Sequence, residues 1–94
     1  MITLFASHEV SDYEKWKSLF SSQMSLIGEE HGIQETKVYR TADGSRVVGS
    51  HTFNTMEEAE KHRAMMEAPE GQAMAAQNGI VLPATIWLVE DVTF

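Results

Sequence analysis

The run Ser7-His8-Glu9-Val10-Ser11-Asp12-Tyr13-Glu14-Lys15-Trp16-Lys17-Ser18-Leu19-Phe20 joins one element to the next, and its reading decides the fold. Leading into it, Ile2 to Glu9 alternates in the strand period, with Ile2, Leu4, Ala6 and His8 on one face and Thr3, Phe5, Ser7 and Glu9 on the other. Leading out of it, Tyr13, Trp16, Phe20, Met24 and Ile27 recur at helical spacing with Leu19 beside them, while Lys15, Lys17, Ser18 and Ser22 fall opposite. Between the two, Ser11-Asp12-Tyr13-Glu14 fits a capping box, in which the Ser11 hydroxyl accepts from the Glu14 backbone N–H and the Glu14 carboxylate reaches back. Gly32, after His31, reads as the helix stop. A strand that turns into a capped amphipathic helix predicts one half of a β-α-β unit.

The rest of the chain repeats that logic. Ile33 to Thr41 and Arg46 to Phe53 flank Asp43-Gly44, a two-residue hairpin signal. With that pair as the loop, Arg40 faces Val47, Val38 faces Gly49 and Thr36 faces His51. Val38, Arg40, Val47, Gly49, His51 and Phe53 then share one side of the hairpin, and Lys37, Tyr39, Val48, Ser50 and Thr52 the other. A second capping box, Thr55-Met56-Glu57-Glu58, opens a helix to about Glu67. Pro69 cannot continue that helix but suits the first turn of another, which Asn78-Gly79 ends. Ala84 to Thr93, with Ile86, Trp87, Leu88, Val89 and Val92, reads as the last strand. The order β-α-β-β-α-β predicts an α+β, ferredoxin-like sandwich: an antiparallel four-stranded sheet with its helices on one face.

Ninety-four residues suit a single domain, 1–94, whose core is small by surface-to-volume scaling. A formal net charge of −7 argues against phosphate-backbone binding and so against a nucleic-acid partner. The chain has no cysteine, hence no disulfide framework, thiol nucleophile or thiolate metal site. No apolar run is long enough to span a bilayer, and the opening Met-Ile-Thr-Leu-Phe lacks the regions of a signal peptide, so the expected address is cytoplasmic, with no membrane partner. Neither Gly-x-Gly-x-x-Gly nor a phosphate loop occurs, and no redox cofactor is expected.

Helices on one side leave the other sheet face in need of a cover. That face carries Phe5, Tyr39, Val48, Trp87 and Val89 among Thr3, Ser7, Lys37, Ser50 and Thr52. Apolar groups gathered in this way mark an interface, and packing against a second copy about a twofold axis is the simplest cover. The expected partner is therefore the chain itself.

Two passages resemble a known family. Phe53-Asn54-Thr55-Met56-Glu57-Glu58-Ala59-Glu60-Lys61-His62, followed by Ala68-Pro69-Glu70, is similar to a run in antibiotic-biosynthesis-monooxygenase-like domains of the dimeric α/β-barrel superfamily. The opening His8-Glu9-Val10-Ser11-Asp12-Tyr13-Glu14-Lys15-Trp16-Lys17 resembles small members of that superfamily without an established activity. The resemblance implies a homodimer whose sheets pack face to face, with a pocket in each subunit between sheet and helices. Activities across the superfamily include cofactor-free oxygenation of aromatic substrates, haem breakdown and lactone isomerisation. The haem-degrading branch uses an Asn on the first strand and a Trp near the end of the third; His8 and Phe53 stand nearest those places, so these roles do not carry over.

Among residues that could carry chemistry, His62 lies on the family-like helix, where Ala59, His62 and Met66 share the face directed at the sheet. It is either a histidine at the core edge or a base that orients substrate. His8 points helix-ward at the end of the first strand and is either a second candidate for proton transfer or bonded to backbone. Tyr13, Trp16, Phe53 and Met66 read as core and pocket wall, and His51 as a further wall residue on the His8 face but at the opposite end. No metal site is expected. Arg40 is odd among Val38, Val47 and Gly49, and either binds an anionic or enolate oxygen or reaches solvent. Met24, Met65, Met66 and Met74 are adaptable packing able to line a malleable cavity. The expected function is a homodimer holding a small hydrophobic or aromatic ligand, with cofactor-independent monooxygenase-like chemistry on an aromatic or enolisable molecule, or alternatively a non-catalytic binding or dimerisation module.

Overall fold

A computed structural model describes residues 1–28 and 31–92, with backbone only at 24–27. The expected packing of Met24 and Ile27 and the expected strand end at Thr93 lie outside the described residues. The elements run β1 (Ile2–Val10), α1 (Tyr13–Ile27), β2 (Glu35–Arg40), β3 (Val47–Phe53), α2 (Met56–Glu67), α3 (Pro69–Gln77) and β4 (Ile80–Glu90). The sheet has the order β2-β3-β1-β4, all neighbours antiparallel, which is the ferredoxin-like arrangement.

The alternation in β1 does what its period demands. Ile2, Leu4, Ala6 and His8 are buried while the residues between them are only partly covered. Ile2, Leu4 and Ala6 form the core with Phe53 and Ala59, and Ile33, Met66, Ile86 and Leu88 pack around them. Leu4, Phe53 and Ala59 are fully buried, and removing a Leu or Phe side chain from water contributes about 1.5–3 kcal/mol each. On the far face, Phe5 and Trp87 stack with ring centroids 5.4 Å apart, and Tyr39, Trp87 and Val89 remain exposed.

The hairpin register is the expected one, with Arg40, Val38 and Thr36 opposite Val47, Gly49 and His51. Its loop is wider than two residues. The Thr41 N–H donates to the Arg46 carbonyl at 3.0 Å, and the Gly44 N–H turns back to the Thr41 carbonyl at 2.8 Å. A type I′ loop needs positive φ at both central residues, but only Gly44 adopts it here (φ +75°). The Asp43 carboxylate gathers the turn instead, accepting from the Ser45 N–H (2.9 Å), the Ser45 hydroxyl (2.7 Å) and the Thr41 hydroxyl (2.8 Å). Those hydrogen bonds, the Ser45 N–H first, hold its carboxyl down at a pKa of about 2.

Three other expectations need correction. The cap of α1 is Asp12, whose Oδ1 accepts from the Lys15 N–H at 3.2 Å. Ser11 is drawn away to the start of β4, where its N–H and hydroxyl donate to the Gly79 carbonyl at 2.8 and 3.3 Å. β2 is shorter than Ile33 to Thr41, and β4 begins at Ile80 rather than Ala84. Pro83 does not delay β4 because this is an edge strand with a bulge. Leu82, Pro83 and Ala84 lie opposite the single residue His8, so the missing proline N–H breaks no ladder bond.

Half of the second capping box forms as read: Thr55 Oγ1 accepts from the Glu58 N–H at 3.2 Å, while the Glu58 carboxylate accepts from the Thr55 hydroxyl at 3.1 Å in place of its backbone N–H. Ala68, extended at ψ 154°, separates α2 from α3, as a residue before proline should.

Candidate functional site

A layer of rings fills the space between the sheet and the helices. Along α1, Tyr13 meets Trp16 at 6.0 Å between centroids and Trp16 stacks on Phe20 at 5.1 Å. Phe20 then lies over His51 of β3 at 6.1 Å, and His51 meets His62 of α2 edge-on at 5.3 Å. His31, in the loop after α1, meets His62 from the other side at 5.4 Å, with ring Nδ1 atoms 3.3 Å apart. Phe53 is fully buried and lies 5.5 Å from His62, supporting its ring from the core.

Strand and helix periods bring these groups together. His51 and Phe53 are two apart on β3 and so project to the same side, while Ala59, His62 and Met66 recur along one face of α2. Ala59 is fully buried and His62 is 5% exposed, so this face is turned to the core as its spacing demands.

Trp16, Phe20, His51, His62, Met66 and Met74 line a cavity of about 140 Å³, and Gln23 and Asn78 complete its wall. Asn78 Nδ2 donates to Gln23 Oε1 at 3.1 Å, so the wall carries a paired amide beside rings and thioethers. A few polar groups in a largely apolar concavity are the usual make-up of a small-molecule site.

Burial keeps His51 and His62 neutral at physiological pH. Burial pushes His51 down to a pKa of about 4, and it pushes His62 to about 4 as well, with nearby His51 and His31 adding to the effect. His51 Nδ1 is 2.9 Å from the Thr36 hydroxyl and His62 Nδ1 is paired with His31. Among the described residues no fully buried side-chain nitrogen lacks a partner, and neither Nε2 is hydrogen-bonded. Each ring therefore keeps Nε2 free for a ligand.

Of the residues singled out from sequence, the structure gathers His62, His51, Trp16, Met65, Met66 and Met74 at this cavity, with Phe53 packed behind His62. His8, Tyr13 and Arg40 stand apart. His8 is buried beyond Trp16, 5.7 Å from its ring, with Nδ1 3.3 Å from the Glu9 carbonyl. Its pKa is lowered by burial, against the Glu9 carbonyl and with the Arg46 charge. Tyr13 lies at the far end of the ring layer, with the Arg40 guanidinium 4.1 Å over its face. Arg40 itself is exposed on the hairpin. His31, Gln23 and Asn78 were not singled out as site residues. Gln23 and Asn78 line the cavity from near the ends of their helices, His31 touches His62 from a loop, and no local spacing announces them. Among the described residues no cluster of three or more histidine or acidic side chains could hold a metal ion.

No protein-family model matches the chain, and no curated protein matches it in sequence. Solved structures do. The cofactor-independent oxygenase SnoaB of Streptomyces nogalater superposes with a TM-score of 0.72 at 13% identity, over 99% of this chain and 94% of that one. An antibiotic biosynthesis monooxygenase gives 0.70 at 9% identity, over 99% and 100%. A protein from Agrobacterium tumefaciens gives 0.68 at 14% identity, over 100% and 96%. The chain thus has the ferredoxin-like fold of the antibiotic-biosynthesis-monooxygenase-like proteins across its whole length.

Proposed function

We propose that this protein is a homodimer that holds a small aromatic molecule in the cavity between sheet and helices and oxygenates it without a bound cofactor. The observation that carries the reading is the cavity itself, where two neutral imidazoles with free Nε2 atoms meet a wall of rings and methionines. Its volume of about 140 Å³ is close to that of an engineered apolar cavity that takes up benzene, so a ligand of about one ring fits it as it stands. Larger ligands need the methionines to repack, which their flexible side chains allow. The fold it shares with a cofactor-independent oxygenase adds support.

In this reading His62 Nε2, or His51 Nε2 beside it, takes the proton of a phenol or enol. The electron-rich anion then reacts with molecular oxygen. Oxygen bonds to the ring carbon ortho or para to the oxyanion, the O–O bond then breaks, and that carbon and the original oxyanion carbon both end as carbonyls. The one C–H hydrogen of the attacked carbon and the O–H proton leave with the second oxygen atom as water. Deprotonating a phenol of pKa about 10 with a base of pKa about 4 is uphill by roughly 8 kcal/mol. That fits within the barrier of about 16 kcal/mol for a turnover near 10 per second.

A second reading, a binding module without turnover, is favoured by the same low basicity. The dimer would form through the outer sheet face, where the Phe5–Trp87 stack and exposed Tyr39 and Val89 need a cover. The test is oxygen uptake with a panel of single-ring phenols and hydroquinones, alongside ligand-induced shifts in melting temperature. Uptake abolished in His62→Ala, with folding intact, supports the oxygenase. Melting shifts without uptake leave the binding module. Neither response from any compound sinks both.

A further inference from the structure

His31 has no part in the chemistry just described, yet its Nδ1 lies 3.3 Å from Nδ1 of His62. Two facing imidazole nitrogens at hydrogen-bond distance must differ in protonation: one carries the hydrogen and the other accepts it. We propose that His31 is the outer member of a two-histidine proton relay that connects the cavity to the protein surface through His62. The proposal rests on His62 being the cavity base. It assigns His31 a positioning and proton-passing role without contact with substrate.

The role of His62 as the cavity base fixes the direction. For His62 Nε2 to accept a proton from the cavity it must be bare, so the neutral ring carries its hydrogen on Nδ1. That hydrogen is donated to His31 Nδ1, and His31 then carries its own on Nε2. When a proton arrives at His62 Nε2, the Nδ1 hydrogen moves to His31 Nδ1. The His31 Nε2 hydrogen then leaves to water, since His31 is only half-buried whereas His62 is 5% exposed. Entry breaks the substrate O–H bond and forms the His62 Nε2–H bond, the inner transfer breaks His62 Nδ1–H and forms His31 Nδ1–H, and exit passes the His31 Nε2 hydrogen to water. Both rings are then neutral with exchanged tautomers, which proton exchange with water resets.

The surroundings suit this flow. The cavity side of His62 is the costlier place for a positive charge, because burial and the neighbouring His51 both oppose it there. The Glu58 carboxylate lies against Gly32, next to His31 in the chain, and so places a negative charge at the outer end. Glu58 is itself held by the Thr55 cap, so the charge is fixed in place.

NMR of protein labelled at its histidine nitrogens tests this without any substrate. Near neutral pH, His62 is expected as the Nδ1–H tautomer, His31 as the Nε2–H tautomer, with a nitrogen–nitrogen coupling across the shared hydrogen bond. In His31→Phe, which keeps a ring but removes the acceptor, His62 is expected to change to the Nε2–H tautomer. Nε2–H on His62 in the wild type, no coupling, or no change in the variant overturns the relay. If His31→Phe does not fold, the wild-type spectrum decides alone. With an oxygenated substrate in hand, His31→Phe should lower kcat about tenfold or more with KM unchanged, and free imidazole in the buffer should restore it. A wild type that consumes no oxygen removes the oxygenase reading and leaves the tautomers to decide the relay.

Discussion

The carboxylate of Glu58 occupies the place where a β-carbon on residue 32 would stand. Gly32 also adopts φ +77°, a conformation that side-chained residues avoid. Gly32→Ala therefore meets backbone strain and must also push aside the Glu58 carboxylate, the far end of a flexible side chain. We expect a loss of about 1–3 kcal/mol in urea unfolding. Because the substitution adjoins His31, it should also shift the His31 and His62 resonances while leaving those of His8 in place.

Gly49 presents the opposite case. It lies in mid-strand on the helix-facing side, and among the described residues no atom comes within 4 Å of a β-carbon built there. A glycine in a strand is entropically costly, so Gly49→Ala should raise stability by about 0.5–1 kcal/mol. A melting temperature unchanged or lowered would mean that the space is not free.

The buried histidines make stability depend on pH. His51 and His62 titrate near 4 when folded and near 6.5 when unfolded, so between those values the unfolded chain binds more protons. Their contribution is complete above about pH 6.5 and is lost as the pH falls through 4. The slope is on the order of 1 kcal/mol per pH unit for each histidine. Thermal melts across that window should fall more steeply for the wild type than for His62→Gln, and parallel curves would refute the assignment.

Phe53 supports His62 from the core. Truncating it to Ala should cost about 3–5 kcal/mol by removing a fully buried ring, a large share of the stability of a domain this size. Phe53→Leu should cost less and still displace the His62 ring, seen as a rise in its pKa toward 6.5.

For the outer face, Trp87→Glu combined with Tyr39→Lys should yield a monomer in sedimentation if the sheets pack together, with helicity retained. A wild type that is already monomeric at micromolar concentration removes the dimer instead.

How much of this was legible follows from where each signal resides. The sheet order, the hairpin register and α2 with α3 rest on local patterns: alternation in Ile2 to Glu9, Asp43-Gly44 at the turn, the Thr55 cap, and Pro69. Those patterns act within a few residues and survive folding unchanged. Ser11 misled because its hydroxyl was claimed by Gly79, 68 positions away, and Asp12 took the cap. The burial of His62 was readable from helical spacing with Ala59 and Met66. Its pairing with His31 was not, since a loop and a helix meet there only after both crossovers have closed.

The bulge opposite His8 also bears on how the molecule keeps from polymerising. β4 is one border of the sheet, and a regular border offers a row of donors and acceptors to any passing strand. Along Leu82–Ala84 that row is interrupted: three residues bow away from one, and Pro83 has no hydrogen to offer. A foreign strand could not zip along this border in register. Side-by-side strand addition is disfavoured along that stretch by chain geometry alone.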